Sequence, residues 1–358
     1  MNEDIIIVKP VEQAFFPLDE QLGLEKGSEA SPGLKKEMAR LSAIVTYSQV
    51  QETLERIGQI KVSQSQIWSQ TQAAGEKFQA REQAQNQAAL NLPKRNESAV
   101  IKTDPDLRLG GSLDGGMMYI REEGWKEFKA GCIYQIETEF SYKRKTQAWE
   151  AGPHARDNTY VAHLGEPDPI GQLLWAEAQR RGWNEALDTQ FVADGAKWIW
   201  RLVEEHFYDS VQTVDWYHAC SYLSTAAKDL YPDQDHLQAR WLKAHTTCLY
   251  QGHAQDIADT LFKEVRSRDP ALVADLKTAA TYFDNNHQRM DYLALREQGY
   301  LIGSGTVESG IKQFKARFCG AGMRWSRPGA ERMLALRSAV LSDHFDLYWD
   351  QIHNSPLN

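Results

Sequence analysis

From about residue 33 the apolar positions recur at helical spacing. Met38, Leu41, Ile44 and Val45 form one stripe, and Val50, Leu54, Ile57 and Ile60 a second. This is the i, i+3, i+4 rhythm of amphipathic helices. Thr46-Tyr47-Ser48 lies between the stripes and reads as a cap. Ser63 reads as the N-cap of a third helix through Ile67 and Trp68, since a serine hydroxyl accepts from the free amides of a first turn. Residues Glu76 to Ala89 keep the helical character but are polar and Gln-rich, until Pro93 breaks the run. Ahead of these helices the pattern is poor. Ile5 to Val8 suits a short strand, Phe15 to Asp19 an anchored turn, and Gly27 to Gly33 a linker. The short helix, turn, helix with a Gln/Ser-rich second face suits a helix-turn-helix entering a DNA major groove. Three-helix bundles of other purpose share the pattern.

The period then changes. Leu109 to Asp114 reads as a strand ending near Asp114, with Met117 to Ile120 as its continuation or partner. Gly124 to Ile136 alternates in type as a further strand. Residues 138 to 165 are polar and read as irregular, and Ile170 to Arg181 is helical. Gln190 to Ala193 is a short buried strand that stops at Asp194-Gly195, where a helix starts at once. Val211 to Val214 is another, followed by Asp215, Trp216, Tyr217 and His218. Strand, acid, helix, strand, acid is the grammar of an α/β core, and such sheets place their sites beyond the carboxyl ends of strands. Ala219 to Asn286 is almost wholly helical, broken at Pro232, Gly252 and Pro270, and reads as an all-α insertion. His287 to Tyr300 leads to the turn Gly303-Ser304-Gly305. The next helix carries Glu308, then Lys312, Lys315 and Arg317, and ends at Gly320-Ala321-Gly322 before Arg324 and Trp325.

The domain plan that follows has an N-terminal segment (1–32), a helical region (33–92) and the first part of a core (100–221). An insertion (222–286), the final part of the core (287–345) and a tail (346–358) complete it. Hydrophobic residues make up 42% of the 358 residues, enough for a real core. No run approaches the ~18 apolar residues of a membrane span. The acidic start has too short an apolar run for a secretory signal. Cys132, Cys220, Cys248 and Cys319 form no Cys-x-x-Cys pair, which suits reduced thiols in a cytoplasm. The net charge of −9 argues against coating nucleic acid by bulk charge. It leaves room for a local patch. From Gly303 to Arg337 the cations are Lys312, Lys315, Arg317, Arg324, Arg327, Arg332 and Arg337, opposed only by Glu308 and Glu331. A solvated helix face has the same look.

Asp114, Asp194 and Glu308 are the candidate chemistry. Each alone also fits a helix cap or dipole partner. Together, carboxylates from separate elements are what two-metal phosphoryl transfer requires, with ions roughly 3.5–4 Å apart on the attacking and leaving oxygens. Hard oxygen ligands suit Mg²⁺ or Mn²⁺.

Several short motifs together resemble the DDE transposases of bacterial insertion sequences, and among them the ISKra type. They are Asp114-Gly115, Gly124-Trp125-Lys126-Glu127, Asp194 to Trp200, Asp215-Trp216-Tyr217-His218, Arg289 to Tyr292, Gly303 to Ser309, and Gly322 to Ser326. Phe16 to Glu20 and Leu22 to Leu24 extend the resemblance more weakly towards the start. Where members often carry paired cysteines ahead of that segment, this chain has Lys9 to Ala14. The resemblance implies an RNase H-like core with a helical insertion before the last acid. It implies Asp114, Asp194 and Glu308 as catalytic metal ligands for Mg²⁺ or Mn²⁺. Asp215 and His218 match an Asp-x-x-His motif, as a contact to the active-site carboxylates or to DNA; a hydrogen-bonded structural histidine fits His218 equally. The expected activity is DNA end cleavage and strand transfer, by a homodimer or higher assembly on DNA, with no membrane partner. Lys312, Lys315, Arg317, Arg324 and Trp325 are the expected DNA contacts, although Trp325 also suits simple packing. A catalytically silent DNA-binding descendant and an RNase H-like nuclease share much of this pattern.

Overall fold

The computed structural model describes residues 30–90, 104–143, 147–269 and 273–354. The expected strand at Ile5 to Val8, the turn at Phe15 to Asp19, the first three residues of the Gly27 to Gly33 linker and the break at Pro93 lie outside them, while Pro32 and Gly33 of that linker open a helix. The chain forms two compact units, Met1–Ala74 and Gly75–Asn358.

The first unit contains α1 (Pro32–Ser42), α2 (Tyr47–Gly58) and the start of α3 (Gln64–Leu90). Its helix starts are set locally. The Ser31 hydroxyl accepts from the Leu34 amide. Thr46 and Gln49 exchange bonds in a reciprocal capping box. Ser63 and Gln66 do the same, with the Gln66 amide donating to Ser63 Oγ at 3.2 Å and the Ser63 amide to Gln66 Oε1 at 2.8 Å. Each such cap satisfies amides that a helix start leaves unpaired. Met38, Val50, Leu54 and Ile67 form the buried cluster. The second stripe is shorter than its sequence spacing predicts: Ile57 is 83% exposed.

The second unit is built on a five-stranded mixed sheet in the order β3-β2-β1-β4-β5. The strands are β1 (Asp104–Ile120), β2 (Gly124–Lys143), β3 (Ala148–Leu164), β4 (Ala186–Ala193) and β5 (Val211–Val214). β1 pairs antiparallel with β2, and β2 antiparallel with β3, while β1, β4 and β5 run parallel. β1 is therefore the central strand. It does not stop near Asp114 but runs on unbroken to Ile120. The stretch that reads as irregular is the end of β2 and the whole of β3.

Helices α4 (Pro167–Arg180) and α5 (Lys197–His206) join Leu109, Leu113, Phe191 and Val214 in one buried cluster. The helices expected as an insertion are α6 (Trp216–Leu230), α7 (Asp235–Tyr250), α8 (Ala254–Arg266) and α9 (Ala274–Asn286). Leu223, Leu249, Ile257, Leu276 and Phe283 from them belong to that same cluster. They are thus packed as part of the sheet's core. A short helix α10 (Tyr292–Glu297) follows, then α11 (Gly305–Phe318), α12 (Arg327–Leu341) and α13 (Phe345–Asn354). α11 lies against β1 and β2 by its aromatic side. The Phe128 ring meets Phe314 and Phe318 at centroid distances of 5.9 and 6.3 Å.

Candidate active site

Two of the three expected acids are placed by strand register. β1 and β4 pair in parallel up to Ser112 opposite Val192. Asp114 and Asp194 each stand two residues further on, at the same level of adjacent strands that lie about 4.8 Å apart. β4 in turn pairs Ala193 with Val214, and the Asp215 amide donates to the Ala193 carbonyl at 2.7 Å. Asp114, Asp194 and Asp215 therefore cross three neighbouring strands in one row, with Asp194 and Asp215 just beyond the carboxyl ends of β4 and β5.

The third acid comes from α11. In β1, residues alternate between faces, and Asp114 shares a face with Gly116. A Cβ at Gly116 would meet the Phe128 ring and the Lys315 side chain of α11, so Asp114 faces the helix that carries Glu308. Their charges interact. Burial pushes the Asp114 carboxyl up to about 6, and the charges of Asp194 and Glu308 add to the rise. The Gly115 amide, donating to Asp114 Oδ1 at 2.6 Å, and the Lys315 ammonium pull it back down. Glu308 is half-exposed and pairs with Lys312 one turn on, at 3.6 Å. Asp194 Oδ1 accepts from the Ala196 amide at 2.9 Å. Among the described residues no three His, Cys, Asp or Glu side chains are gathered tightly enough to hold one metal ion. The donor chemistry is nevertheless that of a hard cation. Asp114 and Asp194 each keep an oxygen that accepts no hydrogen bond from the described residues, and mutual repulsion raises Asp114 in the way a bound cation would relieve.

Asp215 has a positional role. It is 1% exposed. Its Oδ1 caps α6 by accepting the His218 amide at 2.9 Å. Its Oδ2 accepts both the Ser304 amide, at 2.7 Å, and the Ser304 hydroxyl. The Ser304 carbonyl in turn receives the Glu308 amide at 3.1 Å. One carboxylate thus ties the end of β5 to the start of the helix bearing Glu308. The glycine turn before α11 was visible in the sequence; its anchor, 89 residues away, was not.

His218 is exposed and lies beside an aromatic pair, with its ring 5.6 Å from Tyr222 and 6.2 Å from Tyr282. Tyr222 and Tyr282 stack at 3.8 Å, and the Tyr282 hydroxyl donates to the Asp194 carbonyl at 2.9 Å. Burial, with the Asp194 charge, raises both phenols. These tyrosines wall the site beside Asp194 and carried no sequence signal. The wall also explains Gly195. Its φ is +100°, and a Cβ there would lie 2.7 Å from the Tyr282 ring.

The basic segment divides under burial. Lys312, Lys315 and Arg324 are exposed. Arg317 is 3% exposed and its guanidinium lies 4.9 Å from the Trp325 ring centre. Trp325 is itself buried, packs on Phe318 at 5.1 Å and donates its indole N–H to the Phe318 carbonyl. These two residues, expected as DNA contacts, are turned into the protein instead. Arg327 pairs with Glu123 and Glu331, Arg332 with Glu76, and Arg337 is buried. The patch reduces to three cations around Glu308 and the end of α11.

Fold and site together define a mixed α/β protein with a row of carboxylates across its parallel strands, at the carboxyl ends of β4 and β5 and within β1. No family model matches the chain. It is 23% identical over 350 residues to a UPF0236 protein in the vanSb 3' region of Streptococcus gallolyticus, covering 95% of this chain and 70% of that one. No helix among the described residues is long and apolar enough to cross a membrane.

Proposed function

We propose that the chain is a DDE transposase of an insertion sequence, with an RNase H-like core formed by the five-stranded sheet. The observation that carries this reading is the register of Asp114 and Asp194 on adjacent parallel strands, with the Glu308 charge acting on Asp114 from α11. Asp114, Asp194 and Glu308 would hold Mg²⁺ or Mn²⁺, which supply an activated attacking oxygen and charge stabilisation on the leaving oxygen. The protein's own part is positional. The strands fix the two aspartates at one level. Asp215 fixes the approach of Glu308. Lys315, near Asp114, offsets part of the charge a scissile phosphate would bring. The expected outcome is hydrolysis at an element end, then attack of the freed 3′-hydroxyl on target DNA by in-line displacement. The expected assembly is a homodimer or higher on DNA in the cytoplasm.

The test uses the purified chain, DNA carrying the gene's own flanking sequences, and Mg²⁺ or Mn²⁺. Cut ends and joined products that vanish with Asp194→Asn support the transposase. Specific binding with no cutting favours a silent DNA-binding descendant. Cutting of branched or hybrid substrates with no joining favours a nuclease. Substantial activity in Asp114→Asn, Asp194→Asn or Glu308→Gln rules out the triad.

A further inference from the structure

A cavity of about 630 Å³ opens between α5 and α9, with Gly195 in its wall. Gly195 follows Asp194 directly, so the cavity adjoins the row of carboxylates. Its lining is cationic: Lys197, Arg201, Lys277 and Arg289 against the single carboxylate of Glu204. In a chain of net charge −9, that is a local inversion of sign. The two arginines are already engaged. Arg201 pairs with Asp168 and Glu205. Arg289 donates to Gln212 at 2.7 Å and lies 3.8 Å from Glu204. Lys197 and Lys277 are exposed and have no ion pair among the described residues.

Three further features point to an anion. α5 starts at Lys197, and Ala196 gives it no side-chain cap; the Ile199 and Trp200 amides donate to the Ala196 carbonyl, which leaves the Lys197 and Trp198 amides for an outside acceptor. Trp200, in the cavity wall, is 6% exposed, and its buried indole N–H has no hydrogen-bond partner. Thr278, Thr281 and Asn285 add polar groups to the α9 side. The two aromatic residues of the lining, Trp200 and Tyr282, are both buried. They offer no open ring face on which a base could stack, as a base-reading site requires. The lining suits phosphates rather than bases.

We propose that this cleft holds the sugar-phosphate backbone of one DNA strand leaving the carboxylates, independent of its sequence. The assignment of DNA as the ligand rests on the transposase reading. The strand enters beside Lys312 and Lys315, crosses Asp114 and Asp194, and passes Gly195 to reach Lys197 and Lys277. The lysines neutralise its phosphates, while Arg201 and Arg289, held by their acidic partners, shape the walls.

The experiment measures binding of labelled single-stranded oligonucleotides by fluorescence anisotropy in EDTA, so that no chemistry is required. Lys197→Glu with Lys277→Glu should weaken binding at least roughly tenfold. It should also flatten the salt dependence, because each lost phosphate contact removes about 0.7 from the slope of log affinity against log salt for single strands. Lys243→Glu with Lys263→Glu, the same charge change outside the cleft, should leave both nearly unchanged. If the Glu pair lowers the melting temperature, Lys197→Gln with Lys277→Gln serves in its place, and the flattened slope is the readout. Unchanged affinity and slope in the cleft variant would overturn the proposal. So would an equal loss in the control pair, or affinity that does not rise from a mononucleotide to an oligonucleotide. Binding measured in EDTA needs neither a metal ion nor catalysis. A failed cleavage assay with intact, lysine-dependent binding would therefore strike the catalytic reading alone.

Discussion

Burial and two neighbouring carboxylates raise the Asp114 carboxyl to about 6 from an ordinary 3.8, which sets how stability responds to pH. The folded state holds that proton more tightly than the unfolded chain. The associated stability is full below about pH 4 and is lost as pH rises through 6. Asp114→Asn carries no charge at any pH and escapes the loss. In EDTA its advantage over the native chain should grow between pH 4 and 7 to about 1–2 kcal/mol, after allowing for partial solvent exposure. Urea denaturation at several pH values checks this; a flat difference would refute the burial account. Gly195 gives a second prediction. A methyl group there meets Tyr282 at a φ of +100°, so Gly195→Ala should cost about 1–3 kcal/mol, read as a lower melting temperature. Legibility at this scale was uneven. Glycine after each aspartate was plain in the sequence, and Gly195 proved to need its freedom. The burial of Arg317 and Trp325 was hidden, because a helix with spaced cations looks solvated until the chain beyond it, here Trp325 and Arg337, folds back over one side of it.

Among the elements, those with local signals were the readable ones. Thr46 and Ser63 fixed helix starts through contacts three residues away. β4 and β5 were short apolar runs ended by acids. β3 was missed because it is an edge strand. Its first half is exposed or half-exposed, with burial deepening only from Thr159 onward. Pro153 sits opposite Thr138 within it, a residue tolerated where no further strand needs its N–H. The tie between Asp215 and Ser304 is non-local and leaves no periodic trace. It yields a prediction of its own. Asp215→Ala removes the cap of α6 and leaves the Ser304 amide without its buried acceptor, a loss of about 2–4 kcal/mol. Chemical denaturation measures that cost. A cleavage assay should show activity falling further than stability, since Glu308 loses its fixed approach. Equal activity in the variant would remove Asp215 from the site's support.

For the molecule as a whole, the small cluster around Met38, Val50, Leu54 and Ile67 belongs to the first unit, and the sheet's large cluster to the second. A core of that small size is marginal alone. Calorimetry should therefore show two transitions. Val50→Ala, losing a fully buried side chain at a cost of about 2 kcal/mol, should lower the first and leave the second in place. A single transition shifted as a whole would count against independent units. The α/β class was legible from the alternation of strand, acid and helix. The extent of the core was not: the apolar faces of the all-α stretch join the same buried cluster as the sheet.

After α11 the chain returns to the tip of β1, where the Trp325 amide donates to the Tyr119 carbonyl at 3.1 Å and the Arg121 amide to the Trp325 carbonyl at 2.8 Å. With Ser304 moored to Asp215 at the other end, the helix is a beam clamped at both supports. It cannot swing or slide towards the sheet without breaking hydrogen bonds at one support. Any drawing together of the three carboxylates then falls to the half-exposed Glu308 side chain itself, a torsional movement on the picosecond-to-nanosecond scale where a side chain is open to solvent. The site would close by the turn of one side chain, with the scaffold standing still.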